Sequence, residues 1–312
     1  MSTLVFPAGL CINVKNVNLE KMEFYSRAWN LHRRQMQKGF FIGSIITAHT
    51  PRMQLTHCPY SHGVLLQGDF PKGSILIACV ITESNVTFQN SSALNNEIKI
   101  LKSGDEIDFL CTGQSDIFTL AVEEEFFYKS YESYFGIDFY NHQKEKEIYL
   151  EPNLVTHYIN GLQKYLTYLM QISTTNKLQN SYASIEEELL KHVFSSIYLE
   201  VKEKKRQKFN VSRARTLLHN SIEDNYSISD IAKSCNISER LLFYTFKKNY
   251  GTTPKNYLNS LRFNNIREEL LNINKGTVIS DIIGKYHFYN QSTFTQAYKH
   301  MFGELPSQTL KQ

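Results

Sequence analysis

Ser227-Ile228-Ser229-Asp230-Ile231-Ala232, running on through Leu242 and Phe246-Lys247 to Gly251 and Pro254, is written a second time. The second copy reads Asp281-Ile282-Ile283, then Phe294, Tyr298-Lys299, Gly303 and Pro306. The offset is 51 residues at the opening aspartates and 52 from Leu242/Phe294 onward, so the second copy carries one extra residue in its turn. Each copy is too short to bury an apolar face alone, and two this close should pack as one domain. Each reads as helix, tight turn, helix, the shape that sets a second helix into the major groove of DNA.

The local chemistry supports that reading. Ser227 and Asp230 have capping-box spacing and start a scaffold helix over about 227–235. A turn at Cys235-Asn236-Ile237 follows, with Asn236 a residue that tolerates a left-handed backbone. Ser238 caps a second helix, 238–250, with Leu241, Leu242, Thr245 and Phe246 expected inward. Glu239, Arg240, Phe243, Tyr244, Lys247 and Lys248 are expected outward, as the first candidates to meet DNA. A further helix precedes the unit near Val211 to Leu218. Thr253-Pro254, a cap followed by proline at the first helical position, opens a helix of about 19 residues, or about 28 Å. As a rigid spacer, it can set two recognition helices about one DNA turn apart, roughly 34 Å.

The second unit is expected over 277–287 and 290–302. Asn290 caps its recognition helix and is itself a candidate to meet DNA, with Gln291, Thr293, Thr295, Gln296, Lys299 and His300 presented outward while Phe294, Tyr298 and Phe302 pack. Gln and Asn suit bidentate bonding to adenine, Arg suits guanine and Lys suits phosphate. For any one of these side chains, a solvated helix face is the competing reading. For the doubled arrangement, double-stranded DNA is the expected partner.

These residues resemble the AraC/XylS family of bacterial transcription regulators. The match runs through Asp230-Ile231-Ala232, Ser238-Glu239-Arg240-Leu241-Leu242, Phe246-Lys247-Lys248-Asn249-Tyr250-Gly251-Thr252-Thr253-Pro254, Tyr257-Leu258 and Leu261-Arg262-Phe263. It continues in Gln291-Ser292-Thr293-Phe294 and Phe302-Gly303-Glu304-Leu305-Pro306-Ser307, covering about a third of the chain, roughly residues 210 to 310. The sequence at 261–267 looks most like the branch containing the ethanolamine-utilisation regulator. The resemblance implies a transcription regulator, activator or repressor, working with RNA polymerase, and a sheet-rich N-terminal domain that senses a signal, commonly a small-molecule effector, and often forms a homodimer. The chain departs from the family at Ile283, where alanine is usual, at His287-Phe288, where Gly-Phe is usual, and at Gln296, a position often held by arginine. His287 must then take a turn conformation that glycine takes cheaply.

Charge divides the chain in the same place. Residues 201–312 hold 18 of the 34 Lys+Arg and 9 of the 30 Asp+Glu, a net +9, against −5 for the first 200 residues. A basic module joined to a mildly acidic one grips phosphate with one end only. With 312 residues the chain exceeds the usual span of one core. Three regions are expected: a β-rich sensor over 1–150, a helical connector over 151–208 and the DNA-binding domain over 209–312, with helix-turn-helix units at 227–250 and 277–302. The fold class is α+β.

Within the first region, short apolar or alternating runs from about 35 to 128 predict an antiparallel sandwich or barrel. They include 40–46, 63–68, 74–81, 86–88 and 117–122, with a turn at 101–107 entering a further strand. From 151 to 205 the period turns helical. Leu154, Tyr158, Ile159, Leu162, Tyr165, Leu166 and Leu169 form one stripe, and Ile185, Leu189, Leu190, Val193, Phe194, Ile197 and Tyr198 another, on either side of a polar break at Ser173-Thr174-Thr175-Asn176. These helices either pack on each other or share in dimerisation. The basic run 202–208 reads as a solvated linker, or secondarily as a phosphate-contacting arm.

No run of about 18 apolar residues predicts a membrane span. The opening Met1 to Pro7 lacks the pattern of a secretory signal, so a cytoplasmic location is expected. Five cysteines without C-x-x-C spacing read as reduced structural thiols. No Ser/His/Asp order, phosphate-cradling glycine loop or strong metal motif marks an enzyme, and no cofactor is expected. The alternative is a ligand- or metal-binding β-barrel enzyme with an accessory DNA-binding tail, for which His49, His57, Cys58 and His62 are a weak candidate metal set. Phe40, Phe41, Phe88, Phe109 and Phe118 either line an apolar pocket or fill core.

Overall fold

A computed structural model of the chain describes residues 7–26, 29–89, 91–93, 97–143, 146–150, 152–173, 182–201, 211–272 and 278–311. The basic run 202–208 and most of the polar break after Ser173 lie outside the described residues, as do residues 1–6.

Two antiparallel sheets form the N-terminal half. The first holds β1 (Cys11–Val17), β3 (Gly43–His49), β4 (Met53–Tyr60), β11 (Ser115–Glu123), β6 (Ser74–Ile81) and β9 (Ile98–Leu101), in the order β1-β3-β4-β11-β6-β9. The second holds β2 (Leu31–Gln35), β5 (Val64–Gly68), β10 (Ile107–Cys111), β7 (Val86–Phe88) and β8 (Ser91–Ala93), in that spatial order. The period-two rule assigns the faces of the first sheet. Along β11, Ile117 and Ala121 face a core shared with Trp29, Phe41, Leu66 and Phe109, whereas Phe118, Leu120 and Val122 face the opposite side. That opposite side is covered by α2 (Glu124–Phe135), α4 (Val155–Ser173) and α5 (Tyr182–Ser195), through Phe127, Tyr158, Leu162, Leu189 and Phe194. A short α3 (Phe139–Gln143) completes the layer through Phe139, whereas α1 (Leu19–Tyr25) packs Leu19 and Met22 into the core between the sheets. The antiparallel sheets expected from the turn spacing are present.

Several local expectations need correction. Sheet structure begins at Cys11 rather than near residue 35, and the strand expected over 40–46 begins at Gly43. The two connector helices pack on the apolar outer face of the first sheet as well as on each other, because that face would otherwise be exposed to water. Ile197 and Tyr198 leave the helical stripe. Residues Ile197–Val201 form β13, which pairs antiparallel with β12 (Lys146–Leu150). The β-branched, alternating run Ile197-Tyr198-Leu199-Glu200-Val201 favours a strand once a partner is within reach.

The C-terminal part is helical: α6 (Ser212–Asn220), α7 (Ile228–Ser234), α8 (Glu239–Tyr250), α9 (Pro254–Leu271), α10 (Ile279–Lys285), α11 (Gln291–Phe302) and α12 (Pro306–Thr309). It has two apolar cores, and α9 serves both. Tyr257, Leu258 and Leu261 enter the first beside Leu218, Ile231, Leu242 and Phe246. Phe263, Ile266 and Leu270 enter the second beside Ile282, Ile283, Phe294 and Tyr298. With 18 residues, α9 is about 27 Å long. The first core also takes in Leu65 of β5 and Leu110 of β10, so the sheet and the first helical unit share buried apolar surface.

Candidate DNA-reading surface

In the first unit, the Ser227 hydroxyl accepts from the backbone N–H of Asp230 at 3.1 Å, and the Asp230 carboxylate accepts from the Ser227 N–H at 3.0 Å. These bonds to Ser227 hold the Asp230 carboxyl below its usual range and satisfy donors that a helix start leaves unpaired. The α7 to α8 turn closes with Asn236 in the left-handed region at φ 58° and the Ile237 N–H donating to the Ala232 carbonyl at 3.1 Å. Ser238 then accepts from the Leu241 N–H at 3.2 Å, so α8 starts where its cap dictates.

The second unit repeats these devices with different residues. His287 takes the left-handed turn position at φ 66°, and the Phe288 N–H donates to the Ile283 carbonyl at 3.0 Å. Asn290 Oδ1 accepts from the Thr293 N–H at 2.9 Å and starts α11. The extra residue inferred from the shift in offset falls between His287 and Asn290, where Phe288 and Tyr289 stand in place of Ile237 alone. Ile283, bulkier than the alanine expected there, is buried in the second core. Both recognition helices end on a left-handed glycine, Gly251 and Gly303, whose N–H groups donate to the carbonyls of Lys247 and Lys299.

On α8, Leu242, Phe246 and Tyr250 are buried, while Glu239, Arg240, Phe243, Tyr244, Lys247 and Lys248 reach solvent. Arg240, Tyr244 and Lys247, spaced four and three apart, form one stripe. Leu241, expected inward, is 40% exposed, because Leu242 and Phe246 already fill the inward face and the helical period turns position 241 away from them. On α11, Gln291, Thr293, Gln296, Lys299 and His300 are exposed. Thr295 is half-buried and donates its hydroxyl to the Gln291 carbonyl at 2.8 Å. Asn290 is exposed, but its side-chain carbonyl is committed to the cap. The 52-residue offset sets Ser292 where Arg240 stands, so the matching stripe is Ser292, Gln296 and Lys299. Sequence reasoning about outward polar residues missed Ser292, although the offset itself was enough to find it.

Behind this surface, the sheet domain docks on both units. Arg215 of α6, 3% exposed, donates from both terminal nitrogens to the two oxygens of Asp108 in β10, at 2.5 and 2.6 Å, and from Nε to the Tyr257 hydroxyl at 2.7 Å. Burial opposes its charge, but the bonds to Asp108 and Tyr257 outweigh that and raise its pKa. His219 lies against Tyr257 at 2.8 Å. Burial, with Arg215 and Arg34 nearby, pushes its pKa down to about 4.

At the edge of the second sheet, the Asn264 amide behaves like a neighbouring strand. Its Oδ1 accepts from the Gln35 N–H at 2.9 Å, and its Nδ2 donates to the Gln35 carbonyl at 2.8 Å. Gln35 Nε2 in turn donates to the Met301 carbonyl at the end of α11, at 2.8 Å. Arg267 joins Glu20 of α1 to Glu304, at 2.5 Å each. Within 261–267, Leu261, Phe263 and Ile266 enter the cores, while Asn264 and Arg267 reach across the domain junction.

The candidate metal residues separate. His57 bonds Asp116 at 2.8 Å and stacks on Phe118, whereas His62 bonds Ser61. Among the described residues, no group of three or more His, Cys, Asp or Glu gathers that could hold a metal. Burial pushes the thiols of Cys58 and Cys79 up to about 11 and about 12. Of the aromatics, Phe88 and Phe109 line a small apolar cavity between the sheets, of about 70 Å³. Phe40 and Phe41 line a groove of about 1110 Å³ between α1, β2 and α9, and Phe118 fills core. No helix of the described residues is long and apolar enough to cross a membrane.

The model of the family described as "Helix-turn-helix domain" matches residues 231–312. The XylDLEGF operon transcriptional activator of Pseudomonas putida is 33% identical over 139 residues, 44% of this chain and 42% of that protein. The uncharacterized HTH-type transcriptional regulator YidL of Escherichia coli (strain K12) is 30% identical over 105 residues, 34% of this chain and 35% of that protein. The chain therefore spans less than half the length of these curated relatives. A solved transcriptional regulator with an AraC-type DNA-binding domain, from Chromobacterium violaceum, is 29% identical, covering 33% of this chain and 89% of that one at a TM-score of 0.30. By its match over residues 231–312 and its paired units, the C-terminal part of this chain is a helix-turn-helix domain.

Proposed function

We propose that this chain is a cytoplasmic, sequence-specific regulator of transcription, an activator that reads two successive major-groove segments of DNA with α8 and α11. The observation that carries the proposal is the pair of outward stripes, Arg240-Tyr244-Lys247 and Ser292-Gln296-Lys299, mounted on cores that share α9. Glu239, Phe243, Lys248, Gln291, Thr293 and Thr295 flank them, and the domain's positive balance favours phosphate. Among family branches, the sequence at 261–267 favours that of the ethanolamine-utilisation regulator. RNA polymerase is the proposed protein partner, and a homodimer the proposed assembly.

The sheet domain is proposed to report a signal through its docking on both units. The groove beside α1, lined by Glu20, Arg33, Phe40, Asn264, Arg267 and Phe302, supports entry of a small molecule between the two halves. An effector that binds there better in one docked arrangement shifts the population towards it.

Titration of the purified full chain against genomic fragments, with competitor DNA present, tests the reading. Arg240→Ala and Gln291→Ala are expected to relax preference at a few base pairs, each by about 1–3 kcal/mol. Lys247→Ala is expected to weaken binding to all sequences alike and lower the salt slope by about 1. Equal binding to target and competitor by the unmodified chain would overturn the proposal.

A further inference from the structure

His287 stands in a turn where its backbone is left-handed, at φ 66°, a conformation that costs histidine more than glycine. Its ring accounts for the choice. Nε2 lies 2.9 Å from the Glu223 carbonyl and Nδ1 lies 3.1 Å from the Tyr289 hydroxyl. A carbonyl only accepts, so Nε2 carries a proton and donates to it. Glu223 belongs to the loop between α6 and α7 of the first unit, whereas His287 and Tyr289 belong to the turn of the second.

The same two segments are tied again beside it. Lys285 reaches both Glu223, at 3.0 Å, and Glu269 of α9, at 2.8 Å, and the Tyr286 hydroxyl donates to Glu269 at 2.5 Å. From the other side, Arg262 of α9 donates to the carbonyls of Ile222, at 2.9 Å, and Asp224, at 2.9 Å. Ile222 packs against both apolar cores. The loop over 221–224 is therefore a second connection between the units, alongside α9. At the equivalent turn position of the first unit, Asn236 is exposed.

We propose that His287 is a positioning residue for DNA recognition: by pinning the second turn to the 221–224 loop, it fixes α11 relative to α8 and so sets the spacing of base pairs that the chain accepts. The inference rests on the DNA-reading function proposed above. A single bond across the turn would fix a distance. His287, Lys285 and Arg262 hold the loop at several points, which restrains rotation as well as distance.

The test uses duplexes selected from a random-sequence pool by the full wild-type chain, and the same duplexes with one base pair added or removed between the two contacted segments. One base pair rotates one segment against the other by about 35°. The wild-type chain is expected to reject the altered spacings. His287→Gly, which relieves the left-handed strain, is expected to keep its melting temperature and its affinity for the selected duplex within about threefold. It is expected to lose about tenfold in discrimination against the altered spacings. Lys285→Met, at a partly exposed position, is expected to change discrimination in the same direction. Unchanged discrimination in both variants, with sequence preference intact, would overturn this inference alone. If selection with the wild-type chain enriched no sequence, the DNA-reading function would fall, and the inference with it.

Discussion

Arg215 and Asp108 show how much a single pair can carry. The guanidinium is buried and its partner carboxylate is 22% exposed, so removing the carboxylate leaves a charge with no means of recovering its hydration. Asp108→Ala is expected to cost about 3 kcal/mol, read from the urea midpoint, and to change DNA affinity severalfold if the docked sheet domain communicates with the recognition helices. His219, beneath the same pair, adds a pH dependence. Its folded pKa of about 4 lies below the ordinary 6.5, so the unfolded chain binds the proton more readily. The stability it contributes is complete above about pH 6.5 and is lost as pH falls towards 4, at up to about 1.4 kcal/mol per unit. His49, pushed down to about 4 by burial, shares that window. Urea midpoints at pH 7 and pH 5 should therefore differ, and His219→Gln should reduce the difference without abolishing it.

At the level of elements, the helix ends were the most legible part of the sequence, because caps and left-handed turns demand particular residue types within three or four positions. Ser227, Ser238, Thr253 and Asn290 all cap as their spacing predicts. Asn290 is also a candidate to meet DNA, and the cap gives its side-chain carbonyl a competing use. Asn290→Ala is expected to lower stability by about 1 kcal/mol and to leave base preference unchanged; a changed base preference measured on a substituted duplex panel would restore its reading role. The strands were less legible. β2 reads Leu-His-Arg-Arg-Gln and carries no strand signal, yet it forms an edge that Asn264 completes from a distant helix, with Arg33 buried against Tyr60. β4 hides Gln54 and Thr56 inside, satisfied by Trp29 and Thr47 at 2.9 and 2.6 Å. Polar residues that bond within the fold look, in sequence, like residues that face water.

For the whole molecule, the two units present their stripes outward while their other faces are held by one sheet domain. Asp108 holds the first unit through Arg215, and Gln35 reaches the end of α11 in the second. None of these cross-domain pairs was visible in the sequence, since each joins residues more than 100 positions apart and involves a polar side chain of ordinary type. The repeat was visible because both copies solve the same packing problem around α9 with matching letters. What it predicts for the intact chain is a footprint. Methylation interference on a duplex selected by the full-length protein should mark two major-groove segments about one helical turn apart, roughly 34 Å, on the same face of the duplex. The first should respond to Arg240→Ala and the second to Gln296→Ala. Protection of a single segment, or of none above competitor DNA, would contradict two recognition helices reading together.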